Sequence, residues 1–481
     1  MDIRRNLNLA LPGNPRYQPK ELLEYFGYDN LYKTVVETEL AAMEVLFDVG
    51  VLPANEWAML TPTARQSVLS ISTSEVDNIE RSITQHNIRA LVRIMQGRLG
   101  TPLSRWVHVP LTSYDVLDTG RILQFLRAWQ CVTRPALEKT VRIFADLVAA
   151  FADTLQIGRT HGQHALPVTV GFWLATILDR ILYEASKIEL HAKELVGKIS
   201  GAVGAHNAQI TFGIAERCGD MSFEKRVLEK LGLVPARIST QILPPDSLAH
   251  FLFSYCMLSS ALGQLGRDCR NLMRTEIAEI TEEHEEKQEG SSEMPFKTNP
   301  IHFEGLEGEW IRTKNEFGKV MDTLISEHQR DLAGSRPARD FPIILVNVQS
   351  QLNILLRENK KGIPFLRLIR INTDACRKNF MMSKSYIMAG AITTALQMAG
   401  YDGDAYSLVG EQLVPYAKRH TIMVWEALEI FSSQNAKLHD AVKLIPRQLM
   451  HLFGSPYTYT GDARERALQI AAAAKEWIQS A

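Results

Sequence analysis

Between residues 246 and 289 the chain carries two glycines and no proline. Leu248, Phe251, Leu252, Tyr255, Leu258, Leu262, Leu265, Cys269 and Leu272 recur there at three- and four-residue steps, which puts one continuous apolar stripe on a helix. A helix of that span measures on the order of 60 Å at ~1.5 Å per residue. Such a stripe is covered either by a large bundle within one chain or, more economically, by bundling with other subunits. Two more segments share this character. From 114 to 154 the only helix breakers are Gly120 and Pro135, and from 168 to 196 the only one is Gly171.

The flanking regions differ. Residues 1–20 are rich in proline and read as irregular. Short helices separated by turns are predicted from Pro19 to about 111, and again from about 365 to the end. No strand-rich region or repeat stands out. The expected fold is all-α in three parts: an N-terminal helical domain (1–111), a central long-helix bundle (112–364) and a C-terminal helical domain (365–481). Of 481 residues 46% are apolar and 22% charged, which suits a globular protein with a sizeable core. A net charge of −1 argues against a broad nucleic-acid surface. The five cysteines lack paired short spacing, so no zinc site or disulfide framework is expected and a reducing compartment fits. No signal segment and no run of eighteen apolar residues is visible, so the expectation is a cytoplasmic protein without a membrane span.

One stretch fits no period. Gly290-Ser291-Ser292-Glu293-Met294-Pro295-Phe296-Lys297-Thr298-Asn299-Pro300 follows an acidic run and is expected to begin where a helix ends at Gly290. It brings a hydroxyl, a cation and an amide into one loop. A serine near a lysine serves as nucleophile or base; a polar connecting loop is the plainer reading. The stretch resembles the signature loop of the fumarase/aspartase superfamily, GSSxMPxKxNP, at every fixed position. That resemblance implies that Ser291 is the base that removes a proton beside a carboxylate. It also implies that Lys297 and Asn299 hold that carboxylate as charge builds on it.

Other stretches narrow the resemblance. Thr112-Ser113-Tyr114-Asp115-Val116-Leu117-Asp118-Thr119 opens the first long helix with ordinary N-cap residues, and helix N-termini also bind anions. It resembles the family motif TSxDVxDT, which implies that Thr112 and Ser113 contact substrate carboxylates. Gly158-Arg159-Thr160-His161-Gly162-Gln163-His164-Ala165-Leu166-Pro167 forms a short linker between long helices. It is similar to RTHGQxAxP of the adenylosuccinate lyase family, which implies that His161 protonates the departing nitrogen. Gln85-His86-Asn87 reads as the polar face of a helix and matches a family element that usually ends His-Asp. The match implies that His86 supports the site, with Gln85 and Asn87 beside the substrate. Ser200–Ala208 resembles a GAVGNxNA turn, with Ala205 departing from it, and Ser239-Thr240-Gln241 resembles an element whose glutamine, here Gln241, binds substrate.

The most discriminating pattern is Arg330-x4-Ser335-x3-Arg339, a set of donors suited to one phosphate. Adenylosuccinate lyases have this pattern for the nucleotide phosphate, and Arg16-Tyr17 matches their N-terminal Arg-Tyr. The resemblance implies a homotetramer with active sites shared between subunits and a small nucleotide substrate, with no metal, organic cofactor, nucleic acid or membrane involved. It implies cleavage of adenylosuccinate, and of the succinylated carboxamide ribotide of purine synthesis, with release of fumarate. A lyase acting on another succinyl-amine such as argininosuccinate would leave the phosphate pattern unused. A non-catalytic scaffold would have no need of Ser291, His161 and Lys297 together.

Overall fold

The computed structural model describes residues 11–282, 293–294, 296–329 and 333–479. Helix takes 68% and strand 6%, so the all-α class stands, with three two-stranded sheets among the described residues. The chain divides into two compact units: 1–139 with 183–263 and 305–354, and 140–182 with 264–304 and 355–481.

In the first unit, helix Lys33–Asp48 packs on helix Ser113–Ala128. Val36, Leu40, Met43 and Leu46 are buried there with Val116, Leu123 and Phe125. Gly120 sits at the crossing, where a Cβ would lie 3.1 Å from both Thr34 Oγ1 and the Val35 nitrogen. Phe125, Phe251 and Tyr255 form successive ring contacts, which carry the stripe of helix Asp246–Leu272 into this core. Gln351 ties the unit's long helices together. Its amide donates to the Ser259 and Leu306 carbonyls (3.2 and 2.8 Å) and accepts from Ser259 Oγ at 2.8 Å. Helix Asp246–Leu272 is, by length and composition, apolar enough to cross a membrane, but 61% of its most apolar window is buried, as in a core helix.

The second unit holds a β-hairpin of β1 (Leu155–Thr160) and β2 (Gln163–Thr169) where the sequence suggested only a linker. Beside it, Phe380, Met388, Leu396, Leu408, Leu428 and Phe453 build a C-terminal helical core that also takes in Ile157. β5 (Ile280–Glu282) pairs antiparallel with β6 (Ile369–Ile371). A short parallel pair in the first unit, β3 (Val196–Gly197) and β4 (Val234–Pro235), completes the strands.

Two helical expectations are corrected. The segment from 246 to 289 is not one helix: the helix stops at Leu272 after 27 residues. Ala278 takes φ +51°, the Glu279 N–H returns to the Leu272 carbonyl at 3.0 Å, and the Glu279 carbonyl accepts from the Asn372 N–H at 2.9 Å. Pairing with 369–371 thus outweighs the helical preference of the local sequence. Gln85-His86-Asn87 does not lie mid-helix. Gln85 is left-handed at φ 52°, His86 is extended, and helix Asn87–Leu99 begins after it.

Candidate active site

Within the first unit, the residues expected to grip anions stand on turns fixed by buried charge. Thr112 caps helix Ser113–Ala128, and its N–H donates to Asp115 Oδ2 at 2.8 Å. The other carboxylate oxygen of Asp115 accepts from Lys198 Nζ at 2.5 Å and from the Ser200 and Gly201 N–H groups at 3.1 Å. Neither Asp115 nor Lys198 reaches solvent. Thr119 Oγ1 grips the backbone of Lys198 at both its N–H and its carbonyl. A buried carboxylate that receives four donors holds the helix start and the 198–201 turn in one arrangement.

That turn in turn seats a third segment. Ser200 Oγ and Ser239 Oγ share a 2.7 Å hydrogen bond. Gly204, at φ +78°, approaches so closely that a Cβ would fall 2.1 Å from the Ser239 carbonyl oxygen. His206 Nε2 and Glu224 Oε2 lie 3.1 Å apart, and Glu224 Oε1 accepts from the Ile199 N–H at 2.8 Å. The hydrogen bond that His206 donates to Glu224 raises its pKa above the ordinary 6.5, against the effect of burial. Asp118 fixes the chain just past Gln241 by accepting from the Leu243 N–H at 3.0 Å. The Gln241 N–H donates to the Gln329 carbonyl at 3.3 Å, immediately before the phosphate pattern.

Tyr114 and Asp118 of the helix, Ile242 and Leu243 just past Gln241, and Gly334 and Ser335, among others, line one solvent-open cavity. Ser335 lines this cavity, and Ser113 and Gln241 each directly precede a lining residue in the chain. Arg339 ends a 3-10 turn, Pro337–Arg339. Burial raises the pKa of Tyr32 above its ordinary value, against the effect of a hydrogen bond with Asn87. His86 is exposed and caps its helix by accepting from the Arg89 N–H at 3.4 Å. Gln85, also exposed, donates to the Arg81 carbonyl. Arg16 stands exposed on the 3-10 turn Pro15–Tyr17, and its N–H donates to Asn14 Oδ1. Arg330 and the side chain of Tyr17 lie outside the described residues.

In the second unit, His161 occupies the tip of the β1–β2 hairpin. Thr160 pairs with Gln163, and the two residues between them are His161 at φ +54° and Gly162 at φ +74°. Two successive positive φ angles make the tight primed turn that matches strand twist. The imidazole is exposed at this tip. His164, by contrast, turns back to share a 2.8 Å hydrogen bond with Ser383 Oγ, and burial lowers its pKa. Lys297 is exposed and Asn299 half-buried just before helix Ile301–Asp322. Glu282 braces the start of that helix by accepting from the Phe303 N–H and pairing with His302 Nδ1 at 2.9 Å. Ser291, and the helix end expected at Gly290, lie outside the described residues.

The sequence reading missed the carboxylates and the lysine that hold these turns. Asp115 and Asp118 stand inside the quoted Thr112–Thr119 motif, and Lys198 directly precedes the glycine-rich turn, but an isolated lysine gives no sign of being buried. No group of three or more possible metal ligands occurs among the described residues.

Comparison with known proteins places these features in a family. Residues 24–312 match the family model described as Lyase. An adenylosuccinate lyase from Pyrococcus horikoshii is 31% identical over 460 residues, covering 94% of this chain and 95% of its own length. Another, from Archaeoglobus fulgidus, is 29% identical, with 95% and 97% covered. Among solved structures, the fumarate lyase from Mesorhizobium sp. BNC1 superposes with a TM-score of 0.79 at 22% identity, over 96% of this chain and all of that one, a likeness of fold.

Proposed function

The chain belongs to the lyase family, and on that premise we propose that it cleaves adenylosuccinate to AMP and fumarate. The succinylated carboxamide ribotide of purine synthesis carries the same succinyl-amine and is the second substrate. Ser291 takes the proton from Cβ of the succinyl group. The electron pair left behind forms the double bond of fumarate as the C–N bond breaks. His161 delivers a proton to the departing nitrogen, so one proton leaves and one enters. Lys297 and Asn299 face the carboxylate on which negative charge develops. Thr112 and Ser113 at a helix start, with Gln241, hold the rest of the succinyl group. Arg330, Ser335 and Arg339 take the phosphate. Arg16, Tyr17, Gln85, His86 and Asn87 flank the nucleotide and the acid.

The observation that carries this reading is one cavity lined by Tyr114, Ile242 and Ser335, the first two of which directly follow Ser113 and Gln241 in the chain. A succinyl-nucleotide needs carboxylate donors and phosphate donors within reach of one site. The working form is a cytoplasmic homotetramer with active sites shared between subunits. Tyr183, Leu190, Phe253, Ile311 and Met321 support it, as exposed large apolar side chains on the long helices of the first unit. Fumarate release, followed by its ultraviolet absorbance, should occur with adenylosuccinate and not with argininosuccinate or aspartate. Release from either of the latter two alone would reject the nucleotide assignment.

A further inference from the structure

One carboxylate in the second unit is as deeply placed as Asp115 and holds a different element. Glu279 has no exposure to solvent. Its Oε1 accepts from Arg159 Nη2 at 2.7 Å and from Asn379 Nδ2 at 2.8 Å. Its Oε2 accepts from Gln156 Nε2 at 2.8 Å and from Arg159 Nη1 at 3.2 Å. All four bonds go to one buried group. Two of them form the parallel fork by which an arginine recognises a carboxylate, a geometry that restricts direction as well as distance.

The partners show what the grip is for. Gln156 and Arg159 both belong to β1, and Arg159 is two residues from the hairpin tip at His161. Asn379 belongs to helix Thr373–Ser383, which packs on β1. Between the two β1 contacts the register shifts at Gly158, where a Cβ would come within 2.9 Å of the Leu166 carbonyl oxygen. A two-stranded ribbon with such an irregularity is free to bend unless something outside it sets its direction. Glu279 grips β1 on both sides of that shift.

We propose that Glu279 is a positioning residue for the proton donor: by holding Gln156 and Arg159 against Asn379 it aims the hairpin that presents His161. This rests on the reading of His161 as the acid. Glu279 does not touch substrate; it acts through the hairpin. A tip displaced by about 1 Å is enough to lose on the order of a hundredfold in rate, because proton transfer demands close alignment. Substrate binding through Thr112, Ser113, Gln241 and Ser335, none of which Glu279 bonds, should be little changed.

The test is a double-mutant cycle on steady-state kinetics with Glu279→Gln, His161→Ala and the pair. Glu279→Gln keeps the shape but loses the charge that pairs with Arg159. In the wild-type background it should lower kcat roughly ten- to a hundredfold and move KM less than about threefold. In the His161→Ala background the same change should cost little more, because its route of action is already gone. An equal loss in both backgrounds, or a loss confined to KM, would overturn the proposal. Full activity of His161→Ala would instead reject the acid assignment, so the two failures are distinguishable. Should Glu279→Gln not fold, Gln156→Met removes one neutral donor at nearly constant size. It should lower kcat several-fold in the wild-type background alone, and an unchanged kcat there would equally overturn the proposal.

Discussion

Lys198 Nζ lies 2.5 Å from Asp115 Oδ1, and neither side chain is exposed. Asp115 also holds the N–H groups of Thr112, Ser200 and Gly201, so the pair sets the spacing between a helix start and a glycine-rich turn. Replacing Lys198 with Met would leave a buried carboxylate without its counter-charge, which costs about 3–5 kcal/mol. The expected result is a large drop in melting temperature and a raised KM for adenylosuccinate. Converting Asp115 to Asn in the same protein should recover part of the stability. Thermal denaturation of the single and double variants measures both effects, and an unchanged melting temperature for Lys198→Met would contradict the account.

Arg339→Ala should raise KM with a smaller effect on kcat. One charge-assisted contact to phosphate contributes about 1.5–3 kcal/mol, roughly ten- to a hundredfold. Steady-state kinetics on adenylosuccinate measures it directly. Unchanged kinetics would remove Arg339 from nucleotide binding.

The long helices were legible because an apolar face at helical spacing needs only side-chain periodicity to be seen. The helix at 113 was legible too, since Thr112 and Asp115 announce an N-cap. Where that helix ends and where the 246–272 helix stops were not. Glu279 leaves the helix to pair across to Asn372 and to receive Arg159, partners more than ninety residues away in either direction, and no local pattern encodes them. The hairpin at 155–169 was missed for a related reason. His161-Gly162 is a two-residue turn, but only the pairing of Leu155 with Thr169 makes the flanks strands. A candidate can be named from sequence where a side chain belongs to a motif, as with His161 and Ser335. The buried charges that hold the neighbouring turns, Lys198 and Glu279, show themselves only in the folded chain.

His206 offers a test by pH. Its hydrogen bond to Glu224 raises its pKa above 6.5 in the folded state. A group bound more tightly to its proton when folded stabilises the fold fully below the unfolded pKa, and loses that contribution as pH rises through the folded value. Wild-type stability should therefore decline from about pH 6.5 upward by a component that His206→Asn lacks. Melting temperatures of both proteins across pH 5.5–8.5 check this. Parallel curves would show that the His206–Glu224 contact does not couple to folding.

The division of labour between Ser291 and His161 is the centre of the account, and subunit mixing tests it most directly. On the proposed roles, Ser291→Ala lacks the base and His161→Ala the acid, and each variant alone should be nearly inactive. When the two variants are unfolded together and refolded, a site that draws its serine and histidine from separate chains receives both native groups in roughly a quarter of cases. Fumarate release from adenylosuccinate should return toward that fraction of wild type. Mixed tetramers that remain inactive would contradict an active site assembled from Ser291 of one subunit and His161 of another.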